Sequence, residues 1–307
     1  MLPTWKIGRC AGITLLAASA LAGCGDDQAS DTGGTGAGGN ATGSGGGNGE
    51  GGDGSGGRGS GPPLRLGYVS VYSGSYDAGG SPFSTFSANA RFTNGSSPAG
   101  SACEQEPVGP CWVTTCPADG PPPAGPNPDA GVITVSVGTK TVTLTPDENG
   151  AYAEASGDEA LWADGQTLSA TGVGEEAPAF DLSVAVPGLV DVTAPVFPPS
   201  PEQLIVSKSA DLVVGWSGGG PGSVAVYLSR TDETKNVVIG CVSEADAGQM
   251  TVPAAALASV PSGPSGYMQV ISSNRSSISK PGWDITLNAG SLGSTANGSA
   301  SVAATFE

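Results

Sequence analysis

The sequence predicts an all-β protein: two antiparallel β-sandwich domains that follow a long glycine-rich tether. Two observations carry this prediction. Apolar residues recur at every second position in many short segments, which is the period of a half-buried strand. In addition, 51 of the 307 residues are glycine and 25 are proline, and turn residues separate the alternating segments. We therefore expect many short strands and little helix.

The alternation is clear in several parts of the chain after residue 63. It covers residues 86–92, 133–137, 182–186, 212–216, 224–228 and 283–287. Only residues 251–260 have a helical pattern, with Thr251 as the expected N-cap and Pro253 in the first turn. Proline-rich residues 194–201 predict a linker, because proline disfavours a central strand. The folded part is therefore expected to form domains 64–193 and 196–307.

The first 23 residues have the pattern of an export signal. Two positive charges and no acid in residues 1–9 precede a short, mostly apolar run. That run ends in Leu21-Ala22-Gly23-Cys24, which resembles the lipobox of bacterial lipoproteins. The resemblance implies cleavage before Cys24, a lipid anchor on its side chain and amine, and, because Gly25 follows, location at the outer membrane. The alternative is an ordinary secretory signal with a chance cysteine.

Residues 24–63 predict a disordered tether. Between positions 25 and 61, 18 of 37 residues are glycine, and most of the others are small or polar. Such a segment has little apolar surface to offset its conformational entropy. We expect it to hold the folded domains away from the bilayer.

Charge and composition exclude several classes of function. The net charge is −17, so the basic surface that nucleic-acid binding requires is not expected. The chain contains no histidine, the commonest general base and metal ligand. We therefore expect no cofactor, no metal site and no catalytic residues.

Residues 196–307 are similar to immunoglobulin-like and fibronectin-III-like sandwiches. The residues that carry the resemblance are the early strand 211–216, which ends in Trp216, and the later strand 267–271, which begins with Tyr267. The resemblance implies a sandwich fold and no particular activity.

Four cysteines follow the tether, and they predict two disulfides because the chain has an export signal. Three pairings are open. We expect one bridge within residues 103–116 and a second that joins this loop to the distant cysteine. Metal ligation would favour C-x₂-C pairs and histidine. One local bridge with two buried thiols is the alternative. The cysteines are Cys103, Cys111, Cys116 and Cys241.

An acidic tract separates Lys140 from Lys208, with 11 acidic and no basic residues. Several carboxylates could converge on Ca²⁺, although no EF-hand-like loop is present. The favoured interpretation is a solvated surface that keeps the protein soluble.

Two tryptophans are candidates for ligand stacking. Trp112 and Trp162 lie beside turns, and exposed rings there could stack on sugars, together with tyrosines such as Tyr152. The favoured interpretation is that the rings close the ends of the sandwiches.

Three functional hypotheses follow. The leading one is a non-enzymatic cell-envelope lipoprotein, a structural or binding module on a flexible stalk. The second is an adhesin that binds carbohydrate or cell wall, and the third is a hydrolase that uses only carboxylates. The expected partners are the membrane, through the lipid, and an envelope protein or polysaccharide.

Overall fold

The structure is a computed structural model that describes residues 65–78, 81–94, 103–118, 127–199, 201–296 and 298–307. Strands dominate the described residues, which confirms the all-β prediction. They are β1 (Arg65–Ala78), β2 (Ser81–Thr93), β3 (Glu104–Val108), β4 (Cys111–Pro117), β5 (Ile133–Val137), β6 (Lys140–Leu144), β7 (Ala155–Gly157), β8 (Thr167–Gly172), β9 (Phe180–Ala185), β10 (Val190–Ala194), β11 (Leu204–Val206), β12 (Leu212–Gly218), β13 (Ser223–Thr231), β14 (Lys235–Glu244), β15 (Gln249–Val252), β16 (Gly263–Lys280), β17 (Trp283–Leu292), β18 (Ser294–Thr295), β19 (Gly298–Ser299) and β20 (Ser301–Phe306).

Within the described residues, helix is confined to a single α-helical turn, α1 (Ala254–Leu257), and a 3₁₀ turn over Ala245–Ala247. The predicted helix over residues 251–260 is therefore too long, and Thr251 belongs to β15 instead of capping the helix. The cap comes from Asp211, whose carboxylate accepts a hydrogen bond of 2.8 Å from the Ala254 N–H. In the part of the chain that the structure describes, no helix has the length and apolar character needed to span a membrane.

The strands of the described ranges form three sheets. The large sheet has the order β3-β4-β14-β13-β16-β17-β1-β2-β7, and β20 pairs with both β16 and β11. A five-stranded sheet has the order β15-β12-β10-β18-β19, and a four-stranded sheet has the order β6-β5-β8-β9. Pairing is antiparallel except between β1 and β17, β10 and β18, and β11 and β20. The expectation of antiparallel sheets therefore describes most, but not all, of the ladders.

The long strand β16 joins two sandwiches. Its first part lies between β13 and β20, and its second part pairs with β17. Strands on the β13 side pack over the five-stranded sheet and form the first sandwich. Strands β17, β1 and β2 pack over the four-stranded sheet and form the second. Alternate side chains of β16 reach both cores, with Met268 in the first and Ile278 against the second.

Each core takes segments from both halves of the chain. The first core consists mainly of residues after 189, but it includes Cys111 and Val113 from β4. The second core consists mainly of residues 69–186, but it includes Trp283 and Leu287 from β17. The division into domains 64–193 and 196–307 stays a prediction, and the described strands cross it in both directions.

The two aromatic residues of the immunoglobulin-like resemblance, Trp216 and Tyr267, lie on different sides of the large sheet. Trp216 is buried in the first core, and its indole N–H donates a hydrogen bond of 2.8 Å to the Ala245 carbonyl. Tyr267 is half-buried and lies on the other side of the large sheet from that core. Of these two aromatic residues, only Trp216 is therefore part of the sandwich core.

Aromatic rings lie across glycines on neighbouring strands. A Cβ placed on any of these glycines would collide with the ring of its directly paired partner. Glycine in a strand interior has no side chain to pack, and a ring from the next strand fills that space. These positions therefore need glycine because of a neighbouring ring. The pairs are Gly67–Phe92, Gly157–Phe86, Gly172–Phe180, Gly240–Trp112 and Gly290–Tyr72.

Asp232 closes the turn between β13 and β14. Its carboxylate accepts hydrogen bonds from the Thr234 N–H (2.8 Å), the Lys235 N–H (2.9 Å) and the Thr234 hydroxyl (2.8 Å). These bonds, that from the Thr234 N–H foremost, lower the pKa of Asp232 to about 2. The turn is therefore stabilised by the ionised carboxylate.

Candidate binding face

The large sheet has one face on both cores and a second face directed away from them, which we call the outer face. Side chains alternate between the two faces along each strand. In β1, for example, Val69 and Val71 enter the second core, so Tyr68 and Ser70 lie on the outer face. Among the described strands of this sheet, the charged residues on the outer face are Arg91, Glu244, Arg275 and Asp284. The outer face is thus nearly neutral in a chain with a net charge of −17.

Two rows of polar side chains cross the outer face of the second sandwich. One row runs Asn89, Ser70, Asn288, Arg275 over strands β2, β1, β17 and β16. The next row along the same strands runs Arg91, Tyr68, Thr286, Ser277. We call these eight residues the polar patch. All of them are exposed or half-buried, so a ligand can reach them.

Tyr68 is the aromatic residue of the polar patch. Burial, and then the nearby negative charge of Asp284, raise its pKa. In the same row the hydroxyls of Ser277 and Thr286 are 2.9 Å apart and hydrogen-bond to each other across the strands. The patch therefore presents a neutral phenol ring beside a row of hydroxyl groups.

An apolar cluster lies on the outer face where the large sheet passes from one sandwich to the other. Tyr72, Ile271 and Leu292 are buried there, and Tyr227 packs against them. Burial raises the pKa of Tyr72 to about 12 and raises that of Tyr227 as well. Asn288 of the polar patch donates a hydrogen bond of 3.4 Å to the Tyr72 hydroxyl. The cluster thus supports one edge of the polar patch.

Trp112 also lies on the outer face, at the other end of the sheet. It is half-buried, and its indole ring covers Gly240 on β14. Its indole nitrogen is buried without a hydrogen-bond partner. Contact with the glycine accounts for the position of the ring, and ligand stacking by Trp112 stays a prediction.

Trp162 is buried against the second core, which confirms the favoured interpretation that its ring closes a sandwich. Only 9% of this residue is exposed, and its indole N–H donates a hydrogen bond of 3.2 Å to the Ser291 hydroxyl. Tyr152 is half-buried, accepts a hydrogen bond from the Ala130 N–H (3.0 Å) and donates one to the Gly131 carbonyl (2.8 Å). These rings close the second sandwich, because both pack against its core.

A hollow of about 300 Å³ lies beside Trp162. The charged side chain that lines it is Lys140, whose Nζ is 2.9 Å from Glu159 Oε2 and donates a hydrogen bond of 2.6 Å to the Ala160 carbonyl. Two of the three donors of the ammonium group are therefore used within the protein.

Two disulfides join the four cysteines of the folded part, as the sequence predicts. Cys103 pairs with Cys116, and Cys111 pairs with Cys241. Cys111 and Cys241 are directly opposed across β4 and β14 and are buried in the first core. The expectation that one bridge closes within residues 103–116 and the other reaches Cys241 is confirmed.

The acidic tract contributes no cation site that the geometry identifies. Over the described ranges, no three or more His, Cys, Asp and Glu side chains converge where they could hold a metal ion. Asp147 has a local role, since its carboxylate accepts hydrogen bonds from the N–H groups of Asn149 (2.8 Å) and Ala151 (2.9 Å). Cys24 and the tether lie outside the described residues.

Comparison with known proteins leaves the family open. No family model and no curated protein matches the chain. One solved structure, from work on host cell surface retention of a 1.5-MDa bacterial ice-binding adhesin, shares 12% identity over 78% of this chain and 87% of that chain, with a TM-score of 0.17. A TM-score this low gives no basis for transferring a fold or a function.

Proposed function

We propose that this chain is a non-enzymatic binding module of the bacterial cell envelope, lipid-anchored through Cys24 and displayed on the glycine-rich tether. The outer face of the large sheet is the binding surface. The anchor and the tether rest on the lipobox-like Leu21-Ala22-Gly23-Cys24 and on the composition of residues 25–61.

The observation that carries the proposal is the composition of the outer face. Binding surfaces are enriched in tyrosine, tryptophan and arginine and depleted in lysine, aspartate and glutamate. The outer face contains Trp112, Arg91, Arg275 and several tyrosines. In the described strands, the acidic residues on this face are Glu244 and Asp284. In a chain with 28 acidic residues, this is a marked depletion.

Site-specific photocrosslinking in the protein's native cells tests this proposal. A photoreactive amino acid replaces Ser277, which is exposed on the outer face, or Thr171, which is exposed on the far side of the four-stranded sheet. We expect a discrete crosslinked product from position 277 and none from position 171. Equal products from both positions, or none from either, would show that the outer face is not a binding surface.

A further inference from the structure

The polar patch lies on the backbone of four paired strands. Its eight residues come from four hydrogen-bonded strands, which lie about 4.8 Å apart, so that the patch is roughly 14 Å wide. Successive rows are about 6.7 Å apart along the strands. Because strand pairing fixes the backbone, a ligand meets side chains that are already in place, and little entropy is lost on binding.

The eight residues of the polar patch are more polar than the centre of a protein interface. Protein interfaces bury an apolar centre and are poor in serine. The patch offers instead the hydroxyls of Ser70, Ser277 and Thr286 and the amides of Asn89 and Asn288, with no aliphatic side chain among the eight. Such groups both donate and accept hydrogen bonds. They are suited to a partner that is itself covered with hydroxyl groups.

The charge of the patch and of the whole chain distinguishes between uncharged and anionic polymers that carry hydroxyl groups. Arg91 and Arg275 are three strands apart, and Asp284 lies close to Tyr68, so positive charge is neither concentrated nor unopposed. The chain as a whole has a net charge of −17, which repels a polyanion. An uncharged polymer meets no such repulsion, and planar guanidinium groups can donate hydrogen bonds to neutral oxygens.

We infer that the polar patch binds an uncharged polysaccharide, with a sugar ring against Tyr68 and its hydroxyls hydrogen-bonded to Ser70, Thr286 and Asn288. This inference rests on the proposed function and names the partner of the same surface. Trp162 has no part in it because its ring is buried.

Affinity electrophoresis of the full mature protein in detergent tests the inference. The gels contain hydroxyethylcellulose, galactomannan or dextran as uncharged polymers, and alginate as the anionic one. The variants are Tyr68→Ala, Tyr68→Phe and Ser277→Glu. The matched control is Thr171→Glu, which places the same charge at an exposed threonine on the far side of the four-stranded sheet. Thermal unfolding of each variant verifies that it is folded.

We expect retardation by at least one uncharged polymer. Loss of the Tyr68 ring in Tyr68→Ala should weaken binding about tenfold or more, as for a central aromatic contact. Tyr68→Phe keeps the ring and should stay within about threefold of the wild type. Ser277→Glu should weaken binding while Thr171→Glu does not, and affinity should change by less than about twofold between low and high salt.

Three results would overturn the inference. They are retardation by alginate alone with a steep salt dependence, retardation by none of the four polymers, and retardation that is equal in wild type, Tyr68→Ala and Ser277→Glu. The proposed function fails separately, in the crosslinking experiment. A crosslinked protein from position 277 together with no polysaccharide binding would leave the binding module in place and remove its glycan ligand.

Discussion

Removal of the Cys111–Cys241 bridge should destabilise the protein more than removal of Cys103–Cys116. The two bridges close loops with sequence separations of 130 and 13 residues. In the chain-entropy account, a disulfide stabilises by restricting the unfolded chain, in proportion to the logarithm of loop length. The expected losses in the free energy of unfolding are about 5 kcal/mol for the long loop and about 3 kcal/mol for the short one.

Urea unfolding at equilibrium, followed by tryptophan fluorescence, measures both losses. The variants are Cys111→Ala/Cys241→Ala and Cys103→Ala/Cys116→Ala. Cys111 and Cys241 are buried in the first core, so the lost sulfur atoms add to the first effect. Titration of the wild type with and without a reducing agent separates the effect of the bridges from that of side-chain volume.

The tenfold difference in loop length corresponds to a difference of about 2 kcal/mol between the two losses in the free energy of unfolding. Equal losses for the two double variants would refute the reasoning, as would a larger loss for Cys103→Ala/Cys116→Ala. Either result would mean that the unfolded chain already holds β4 and β14 together without the covalent bond.

Three further predictions concern single residues. Gly240→Ala should lower the free energy of unfolding by about 1–3 kcal/mol, because the added Cβ collides with the Trp112 ring. In a double-mutant cycle, this loss should largely disappear when Trp112 is replaced by alanine. Asp232 has a pKa of about 2 in the folded protein and about 3.9 in the unfolded chain. Its contribution to folding stability is therefore complete above about pH 3.9 and is lost as the pH falls towards 2. Between pH 6 and about pH 2, the melting temperature of Asp232→Asn should therefore fall less than that of the wild type. An identical pH profile for the two proteins would contradict the role of the ionised carboxylate. Ser291→Ala leaves the buried Trp162 N–H without its acceptor and should cost about 1–3 kcal/mol in urea unfolding, whereas a neutral effect would argue against that hydrogen bond.

Much of the strand pattern could be predicted from the sequence. Alternation in residues 133–137 and 283–287 identifies β5 and β17 and the side of each that is buried, because one face of a strand is apolar when it covers a core. The same periodicity cannot tell which strands pair. The parallel contact between β1 and β17 joins residues more than 200 positions apart, and no local signal marks it.

The candidate site was only partly predictable. Proximity to a turn left both an exposed and a buried position open for Trp162. The ring is buried, and its indole N–H donates a hydrogen bond to Ser291, which lies far along the chain. The polar patch had no sequence signature, since its residues come from two distant hairpins, β1–β2 and β16–β17, that meet only when β1 pairs with β17. The two disulfides could be predicted because four cysteines after a signal-like leader allow only three pairings.

We propose that a lipid on Cys24 holds the folded sandwiches at the cell envelope. Fractionation of bacteria that express the full-length chain or its Cys24→Ala variant tests this claim directly. We expect the wild type in the membrane fraction, released only by detergent, and the variant unprocessed or released in soluble form. Cleaved and soluble protein in both cases would contradict the anchor and would leave a freely secreted β-protein.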